Sequence, residues 1–512
     1  MFTATLLLLP ASLLAGLLVL SLYIFNLHSK YDHIPGPTRH SFFLGNAPYL
    51  LKRFKEDQSG FTVALEYMQR YGHVFVLWYI LKPQVIVTNP ETIKDLIISN
   101  VHGKQDKRPE AQLFGQRFVG PKNIVVNKGD EVWQRNRRAY TKYFGRNYMR
   151  QYHDQVKIVA GRLVEKMSEL AGTGEVVDLS HWIHLASCDI IGLVALDWDI
   201  HAVLKEDSTF PKYLDLVMKG VAFAAGKPIS RIAPKFRSMR AEVTHAVREL
   251  RKSCAAQIKK HIARKVRGEV TESCLLDEIL SQSSGDQEYQ IDEMLTVFLA
   301  GQETVAHTIS FAMCHLMRDP VILDSVDRDV QGYITNPSFE KLAGMVHMDN
   351  LMKETLRHYG AVPGLRRILS KETDISGYKV PKGTEIVHVL KLYAHDEKIW
   401  GSDHKEFNPA RFDNYTFSTS KEMGTPGLTR TPTRRTNVHH DQNRHPHGFL
   451  PFGIGPRNCL GKELAKIEFK SVISHLFYHF KFTPVKGENI QLMRYNSVKP
   501  LSGQNCYVDL IE

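Results

Sequence analysis

The chain has 512 residues, of which 43% are hydrophobic and 23% are charged. These ordinary globular proportions exclude an intrinsically disordered chain and a multi-pass membrane protein. The formal charge of +12 is compatible with a nucleic acid, an anionic membrane or an acidic protein as partner. Because no nucleic-acid motif is present, we expect no nucleic acid and favour the other two. The six scattered cysteines form no CxxC pair, which favours reduced thiols in a cytosol-facing domain.

Residues 1–28 predict a membrane anchor. No charged residue occurs from Met1 to Leu27, and this apolar stretch is long enough to cross a bilayer as a helix. A cleaved signal peptide is the alternative, but the basic n-region is missing. Lysines and arginines follow the span and none precedes it. The positive-inside rule therefore predicts a single-pass protein of the endoplasmic reticulum membrane whose large domain faces the cytosol.

Residues 29–40 predict a hinge, because their prolines fix φ and disfavour helix in the preceding residue. No linker divides residues 41–512, which we interpret as one domain. Within it, residues 414–447 are rich in Thr, Arg, His and Pro and predict a flexible surface insertion. Metal binding by the four histidines of its last part is the alternative, but no acid or thiol stands at a fixed spacing from them.

Between the hinge and the insertion, the chain predicts a mainly α-helical fold with small β-sheets, an α+β class. Apolar β-rich runs predict strands at Val74–Trp78 and Val85–Thr88, with a helix beginning at Pro90. Helical apolar spacing predicts long helices over Tyr152–Leu170, Ser238–Arg267 and Ile291–Met317. Short strands are predicted within Thr373–Val380 and Glu385–Val389. The apolar stretch Val217–Ala233 predicts either a membrane contact or an ordinary core helix.

Inside the helix predicted over Ile291–Met317, an acid and an alcohol stand side by side at Glu303 and Thr304. Burial of such a pair among apolar residues is costly and requires an explanation. A pair that faces solvent is the alternative, which the apolar neighbours Phe298 and Val305 weaken. The pair is therefore a candidate catalytic feature.

The most specific pattern is a glycine-rich loop that ends in a cysteine and leads into a helix predicted over Lys462–Phe477. Its residues are Phe452, Gly453, Ile454, Gly455, Pro456, Arg457, Asn458, Cys459, Leu460 and Gly461. Glycines allow the backbone to approach a flat cofactor closely, and a cysteine ahead of a helix has its thiolate favoured by the helix dipole. Cys459 is thus a candidate ligand to ferric iron, and Arg457 could pair with a haem propionate. A buried structural cysteine in a glycine turn is the alternative.

This loop is similar to the haem-binding signature of the cytochrome P-450 superfamily, FxxGxRxCxG, and matches it at every fixed position. The resemblance covers essentially the whole chain. It implies the P-450 fold, haem b as the cofactor, Cys459 as the metal ligand, and Phe452 and Gly453 as further cofactor-binding positions.

The resemblance also implies three cofactor-binding residues outside the loop. Trp133 and Arg137 match the WxxxR helix of the family, whose indole N–H and guanidinium hold a haem propionate. Arg367 matches the arginine after the ExxR helix that does the same. We prefer Arg367 to Arg366 because its distance from the turn at residues 375–377 matches the family.

Two further motifs match the family. Glu303 and Thr304 stand where an acid and an alcohol relay protons to bound oxygen, although Val305 replaces the common second Thr or Ser. Glu354 and Arg357 form the ExxR pair, which alone could be an ordinary surface ion pair. In the family this pair joins the arginine of a later loop, here Arg411, in a buried structural network. Ala410 replaces the usual glutamate of that loop, so we expect the network to lose a contact.

The implied reaction inserts one atom of O2 into a C–H bond, with electrons from NADPH delivered by a partner flavoprotein reductase. Basic side chains flank the elements that frame the thiolate side of the haem and predict a docking face for an acidic reductase, whereas solvated helix faces are the alternative. They are Arg135, Arg138, Lys142, Arg146, Lys462 and Lys466.

Within the superfamily, residues 31–37, 85–88 and 498–501 are similar to the cholesterol 24-hydroxylases of animals. This resemblance implies a lipophilic substrate, most simply a sterol side chain, although residues 360–361 and the insertion depart from it. Another lipid or a xenobiotic is the alternative substrate. A haem-thiolate isomerase or dehydratase is the alternative enzyme, which the Glu303 and Thr304 pair argues against. A haem sensor or a membrane scaffold is the non-enzymatic alternative.

Overall fold

The computed structural model describes residues 2–56, 61–93, 96, 119–127, 131–205, 208–226, 233–270, 272–362, 364–413, 448–494 and 498–511. The chain forms two compact units. The first comprises Met1–Asp106 and Gly364–Tyr393, and the second comprises Lys107–Pro363 and Ala394–Glu512. The predicted insertion at 414–447 and part of the stretch Val217–Ala233 lie outside the described residues. The interpretation of residues 41–512 as one domain stays a prediction.

Helices account for most of the described elements. In chain order they are α1 Phe2–Ser29, α2 Ala47–Glu56, α3 Phe61–Tyr71, α4 Pro90–Ile93, α5 Glu131–Thr141, α6 Arg146–Leu170, α7 Leu179–Leu196, α8 Thr209–Gly226, α9 Arg237–Val266, α10 Leu275–Gln282, α11 Gln287–Leu316, α12 Pro320–Ile334, α13 Phe339–Gly344, α14 Val346–Tyr359, α15 Leu390–Tyr393, α16 Glu397–Trp400 and α17 Lys462–His479. The predicted mainly helical class is confirmed, and each of the three predicted long helices is present.

The strands form small sheets. They are β1 Val74–Tyr79, β2 Lys82–Val87, β3 Val177–Asp178, β4 Leu365–Ile368, β5 Thr373–Ile375, β6 Tyr378–Val380, β7 Glu385–His388, β8 Phe480–Pro484, β9 Gln491–Arg494, β10 Val498–Ser502 and β11 Asn505–Leu510. The sheet orders are β1-β2-β7-β4 and β5-β6 in the first unit, and β3-β11-β8 and β10-β9 in the second. The strands predicted near residues 74–88 and 373–389 are confirmed.

The first unit is built on its four-stranded sheet. Strands β1 and β2 form an antiparallel hairpin, β2 pairs in parallel with β7, and β7 pairs antiparallel with β4. Helices α2 and α3 cover one face, because alternate strand residues are apolar and share that face. The buried residues of this core are Leu50, Val63, Tyr67, Phe75, Ile86 and Val387.

Helix α1 presents large apolar side chains to solvent. Leu18, Val19, Tyr23 and Phe25 are all exposed, and an apolar surface of this extent indicates a contact with a membrane or a partner. Among the described residues, the helix that is long and apolar enough to cross a membrane is Leu179–Leu196. That helix, α7, is mostly buried, as expected of a core helix in a globular unit.

The second unit is organised around α11, which packs against α7, α9, α14 and α17. The helix begins at Gln287, earlier than the apolar pattern predicts, because the side chain of Asp286 accepts the N–H of Tyr289 at 3.1 Å and caps a polar first turn. Gly301 permits a close crossing, since a Cβ at this position would lie 2.6 Å from the side chain of Ile191 on α7. Helix α11 and helix α17, which follows Cys459, therefore share one core.

A buried histidine joins three helices of this unit. The Nδ1 of His261 on α9 lies 2.8 Å from Oδ2 of Asp197, and its Nε2 lies 3.0 Å from Oδ1 of Asp277 on α10. Asp197 is the left-handed C-cap of α7. Burial opposes protonation, but the hydrogen bonds to Asp197 and Asp277 raise the pKa of His261 to about 9. The imidazolium therefore acts as an ionic bridge among α7, α9 and α10.

We expect this bridge to make stability depend on pH. His261 in the unfolded chain has the ordinary pKa of 6.5 and in the folded chain one of about 9. Its contribution is therefore complete below pH 6.5 and is lost as the pH rises through 9. The variant His261→Gln should lower the thermal midpoint by several degrees at pH 6.5 and by much less at pH 10. The exposed His245 of α9, replaced in the same way, is the control. An equal effect of His261→Gln at both pH values would contradict the prediction.

Candidate functional site

The loop that precedes α17 presents Cys459. The N–H of Cys459 donates to the carbonyl of Phe452 at 2.9 Å, and the N–H of Asn458 donates to that of Gly455 at 3.0 Å. Gly453 and Gly455 have φ angles of 69° and 75°, which favour glycine because it lacks a Cβ. Of the six cysteines, all of which the structure describes, Cys459 is the exposed one. The loop therefore presents a thiol, as the sequence predicts.

Positive groups surround this thiol. Desolvation by neighbouring protein atoms raises the pKa of the Cys459 thiol, and the N–H of Gly461, the guanidinium of Arg137 and the ammonium of Lys462 offset this rise only in part. Burial lowers the pKa of Lys462 and of Arg137 in turn. A thiolate at this position would be stabilised by the two cations and by the start of α17, which suits a ligand to iron.

Helix α5 brings Arg137 to the cysteine loop. Its Nη2 donates a hydrogen bond to Oδ1 of Asn458. In the described part of the chain, no carboxylate pairs with Arg137. A desolvated cation without an anion is costly, so the arrangement suits an anionic group such as a haem propionate. The sequence identified Arg137 but not Asn458, because the loop motif allows any residue at that position.

Trp133 and Arg457 form a stacked pair beside the loop. The guanidinium carbon of Arg457 lies 4.0 Å from the centre of the Trp133 ring, and its Nη2 donates to the carbonyl of Asn127 at 2.7 Å. The indole N–H donates to the carbonyl of Ile124 at 3.0 Å. Since an indole has a single N–H, this geometry makes Trp133 a support for Arg457. The direct bond to a propionate expected from the sequence would require that N–H to leave Ile124.

In the first unit, β4 places Arg366 and Arg367 on opposite faces of the sheet, because side chains alternate along a strand. Arg366 forms an ion pair with Glu385 of β7 at 3.3 Å. Arg367 is buried and its pKa is lowered by burial. Its hydrogen bond within the described residues goes to the carbonyl of Arg366 at 2.8 Å. Of the two arginines, Arg367 is therefore the one that pairs with no carboxylate among the described residues, and its role as a propionate ligand stays a prediction.

The middle of α11 carries a few solvent-accessible residues. Ala300 is exposed and Glu303 and Thr304 are partly exposed, although the helix is otherwise almost entirely buried. The hydroxyl of Thr304 donates to the carbonyl of Ala300 at 2.9 Å. Glu303 and Thr304 therefore lie on a narrow accessible strip of a core helix and not on a broad solvated face. Their helix packs against α17, which begins just after the cysteine loop.

The ExxR pair lies at the centre of a buried network. Glu354 and Arg357 have no exposed side-chain surface and form an ion pair at 2.7 Å. Arg411 contacts Glu354 at 3.4 Å and Asp403 at 2.9 Å. Burial raises the pKa of Glu354, but the hydrogen bonds and positive charges of Arg357 and His358 together outweigh this and lower it to about 2. Ala410 is exposed and offers no carboxylate to the network. Asp403 supplies a carboxylate to Arg411 in its place.

We expect this network to be structural. The variant Glu354→Leu should cost about 3–5 kcal/mol, because Arg357 would be left as a buried charge without its anion. Ala410→Glu, a change on the surface, should stay within about 0.5 kcal/mol of the parent. Thermal unfolding and the yield of folded protein measure both effects. A tolerated Glu354→Leu, or an equally damaging Ala410→Glu, would contradict this assignment.

The predicted docking residues differ in their surroundings. Arg135, Arg138 and Arg146 are exposed. Lys142 pairs with Glu278, and Lys466 pairs with Glu463 at 3.1 Å. Lys462 is the partly buried cation beside Cys459 described above. The exposed part of the predicted surface thus comprises these three arginines and Lys142, whose charge is paired with Glu278.

A thiol presented by a glycine loop, next to the guanidinium of Arg137, which pairs with no carboxylate in the described part of the chain, suits a haem-thiolate site. The family model for cytochrome P450 matches residues 34–504, and the chain belongs to the cytochrome P450 family. It is 25% identical to human cytochrome P450 3A7 over 502 residues, which cover 94% of this chain and 92% of that one. It is also 25% identical to the cytokinin hydroxylase of Arabidopsis thaliana over 463 residues, or 85% and 81% of the two chains.

The cofactor of this family is haem b, and electrons reach it from NADPH through a reductase partner. When bound through a cysteine thiolate, haem supplies the activation of O2 for oxygen insertion. The residues present fit the group. Cys459 offers the thiolate, and the neighbouring guanidinium of Arg137, which pairs with no carboxylate among the described residues, suits a propionate. Arg457 adds a second guanidinium beside the loop.

Proposed function

We propose that this cytochrome P450 hydroxylates a sterol side chain, as a cholesterol 24-hydroxylase does, with Cys459 as the iron ligand. The cysteine loop with Arg137 beside it carries the monooxygenase part of the proposal. The sterol part rests on the resemblance of residues 31–37, 85–88 and 498–501. The first two segments are structural: Tyr31 bonds Thr384 at 2.7 Å, a Cβ on Gly36 would lie 2.4 Å from the carbonyl of Val76, and residues 85–88 are all buried. These two segments support a common family more strongly than they support a particular substrate.

We further propose that α1 anchors the protein in the endoplasmic reticulum membrane, with the catalytic part on the cytosolic side. The exposed apolar side chains of α1 support this proposal, as does the distribution of lysine and arginine around the apolar stretch. A lipophilic substrate partitions into the same membrane, so anchorage would bring enzyme and substrate together.

Glu303 and Thr304 are proposed to deliver protons to the oxygen bound at the site. Both lie on the accessible strip of α11, and the Thr304 hydroxyl is oriented by its bond to the carbonyl of Ala300. A carboxyl group and a hydroxyl on adjacent residues can pass a proton between solvent and a reacting atom. Val305, buried at 7% exposure, replaces the second alcohol of the family with an apolar contact.

We expect Thr304→Ala to lower product formation by roughly 100-fold, since positioned proton transfer contributes about that much. Thr304→Ser, which keeps the hydroxyl, should recover most of the rate. Product formed per NADPH consumed is the quantity to measure, with the absorption spectrum of the haem as a check that the site is intact. Equal rates for the Ala and Ser variants would show that the hydroxyl has no role in proton delivery.

The first test of the proposed function is the spectrum of the reduced protein under carbon monoxide. A Soret band shifted strongly to the red in the wild type, and absent in Cys459→His, is expected because the thiolate donates electron density to the iron. Absence of the band in folded, haem-loaded wild type would mean that Cys459 is not the ligand.

Substrate identity requires a second measurement on the same preparation. Haem-loaded enzyme, reductase and NADPH are incubated with cholesterol, and the products are separated and identified by mass spectrometry. Hydroxylation on the side chain, dependent on NADPH and lost in Cys459→His, is expected. A non-sterol lipid and a planar aromatic xenobiotic serve as comparison substrates. Turnover of either of these without any sterol product would contradict the sterol proposal and leave the monooxygenase assignment in place.

A further inference from the structure

Residues 119–127, called the 119–127 segment below, are held by carboxylates of α11. The N–H of Lys122 donates to Oδ2 of Asp292 at 3.2 Å, and the N–H of Ile124 donates to Oε2 of Glu293 at 3.1 Å. Gly120 has a φ of 84°, and a Cβ there would lie 1.9 Å from the Asp292 carboxyl. Two adjacent acids thus fix the backbone of this segment against α11.

Glu293 also connects α11 with α5. The hydroxyl of Tyr289 donates to Oε1 of Glu293 at 2.8 Å and lies 2.9 Å from the hydroxyl of Tyr140. Asn136 donates to the same Tyr289 hydroxyl. Tyr140 and Asn136 belong to α5, the helix that carries Trp133. One carboxyl group therefore contacts the 119–127 segment directly and α5 through a tyrosine.

Nothing in the described part of the chain neutralises Glu293 with a cation. Its side chain is fully buried, and this burial raises its pKa to about 7 although the N–H of Ile124 and the hydroxyl of Tyr289 lower it. A buried carboxyl without a cation is costly. Glu293 therefore stabilises the structure through its hydrogen bonds and not through an ion pair.

Two backbone carbonyls of the 119–127 segment accept hydrogen bonds from residues of the cofactor site. Ile124, whose N–H is held by Glu293, accepts the indole N–H of Trp133 at 3.0 Å. Asn127 accepts a hydrogen bond from Arg457 at 2.7 Å. Since Arg457 also stacks on Trp133 at 4.0 Å, both groups depend on where the segment lies. Glu293 is therefore linked to Arg457 by a chain of direct contacts.

We propose that Glu293 is a positioning residue for haem binding: it holds the 119–127 segment in the place from which Ile124 and Asn127 orient Trp133 and Arg457. The proposal rests on the haem site described above and gives that site a buried support that the family motifs do not include. Its effect reaches the haem through Arg457, and Glu293 itself touches no reacting atom.

Four variants separate positioning from mere stability. Glu293→Leu removes the acceptor for Ile124 and leaves a buried N–H unpaired. Glu293→Gln keeps an oxygen acceptor and an amide that can donate to the Tyr289 hydroxyl, so it is the conservative rescue. Phe298→Leu shortens a fully buried core residue of the same helix and serves as the control for a general loss of stability. Tyr289→Phe, which removes one of the hydrogen bonds to Glu293, is a milder change should Glu293→Leu fail to fold.

The measurement is the rate at which each haem-loaded full-length protein loses haem to an excess of apomyoglobin. Loss of a buried hydrogen bond predicts release about 10-fold faster in Glu293→Leu. Release should stay within about threefold of wild type in Glu293→Gln and rise about threefold in Tyr289→Phe. Phe298→Leu should release haem at about the wild-type rate. Adding Trp133→Phe to Glu293→Leu should give little further increase, because both act along one path.

The inference is overturned if Glu293→Leu and Phe298→Leu release haem equally fast, if Glu293→Gln behaves like Glu293→Leu, or if Tyr289→Phe leaves the rate unchanged. Multiplicative effects of Glu293→Leu and Trp133→Phe would also overturn it. The red-shifted carbon monoxide band should persist in all these variants, because Cys459 is untouched. Absence of that band in the wild type would contradict the proposed function, so the two proposals fail on different readings.

Discussion

Burial of a guanidinium group is the constraint from which the functional site can be recognised, because a desolvated cation costs several kcal/mol unless anions and acceptors compensate it. Arg357 is fully compensated: it pairs with Glu354 at 2.7 Å and donates to the backbone carbonyls of Ala394 and His404. Arg137 is desolvated as well, yet no described carboxylate pairs with it. The first arrangement holds the fold together, and the second is suited to receive an anionic cofactor.

How much of this could be read from the sequence depends on whether each feature is local. The cysteine loop follows from glycine chemistry and the helix after it, so Cys459 and Arg457 could be predicted residue by residue. The choice of Arg367 over Arg366 depends on strand register, which opposes Arg366 to Val387 and Arg367 to Ile386. No local pattern encodes that register, and from the sequence only the distance between Arg367 and a turn could be matched.

The same limit applies to charge compensation. Replacement of the usual acid by Ala410 suggested a lost contact, because the motif was read as a continuous set of partners. In the folded chain Ala410 is exposed, whereas Asp403 reaches Arg411 at 2.9 Å from a turn outside the motif. A buried cation requires a carboxylate nearby in space, but that carboxylate can come from any position in the sequence. Departures from a motif at exposed positions therefore carry little structural information by themselves.

In helix α11, the rule that a buried acid requires an explanation identified Glu303 from the sequence but not Glu293. Glu303 was singled out because an acid within an apolar helix requires an explanation, and the same rule applies with more force to Glu293, which is fully buried. The partner of Glu293 is the backbone N–H of Ile124, a group that every residue other than proline possesses and that no sequence pattern distinguishes. Trp133 also departs from the role that its motif implies, because its single N–H donates to the backbone carbonyl of Ile124. We propose that a haem propionate would bind the guanidinium of Arg137 instead, because the planar fork of several donors matches a carboxylate better than an indole does.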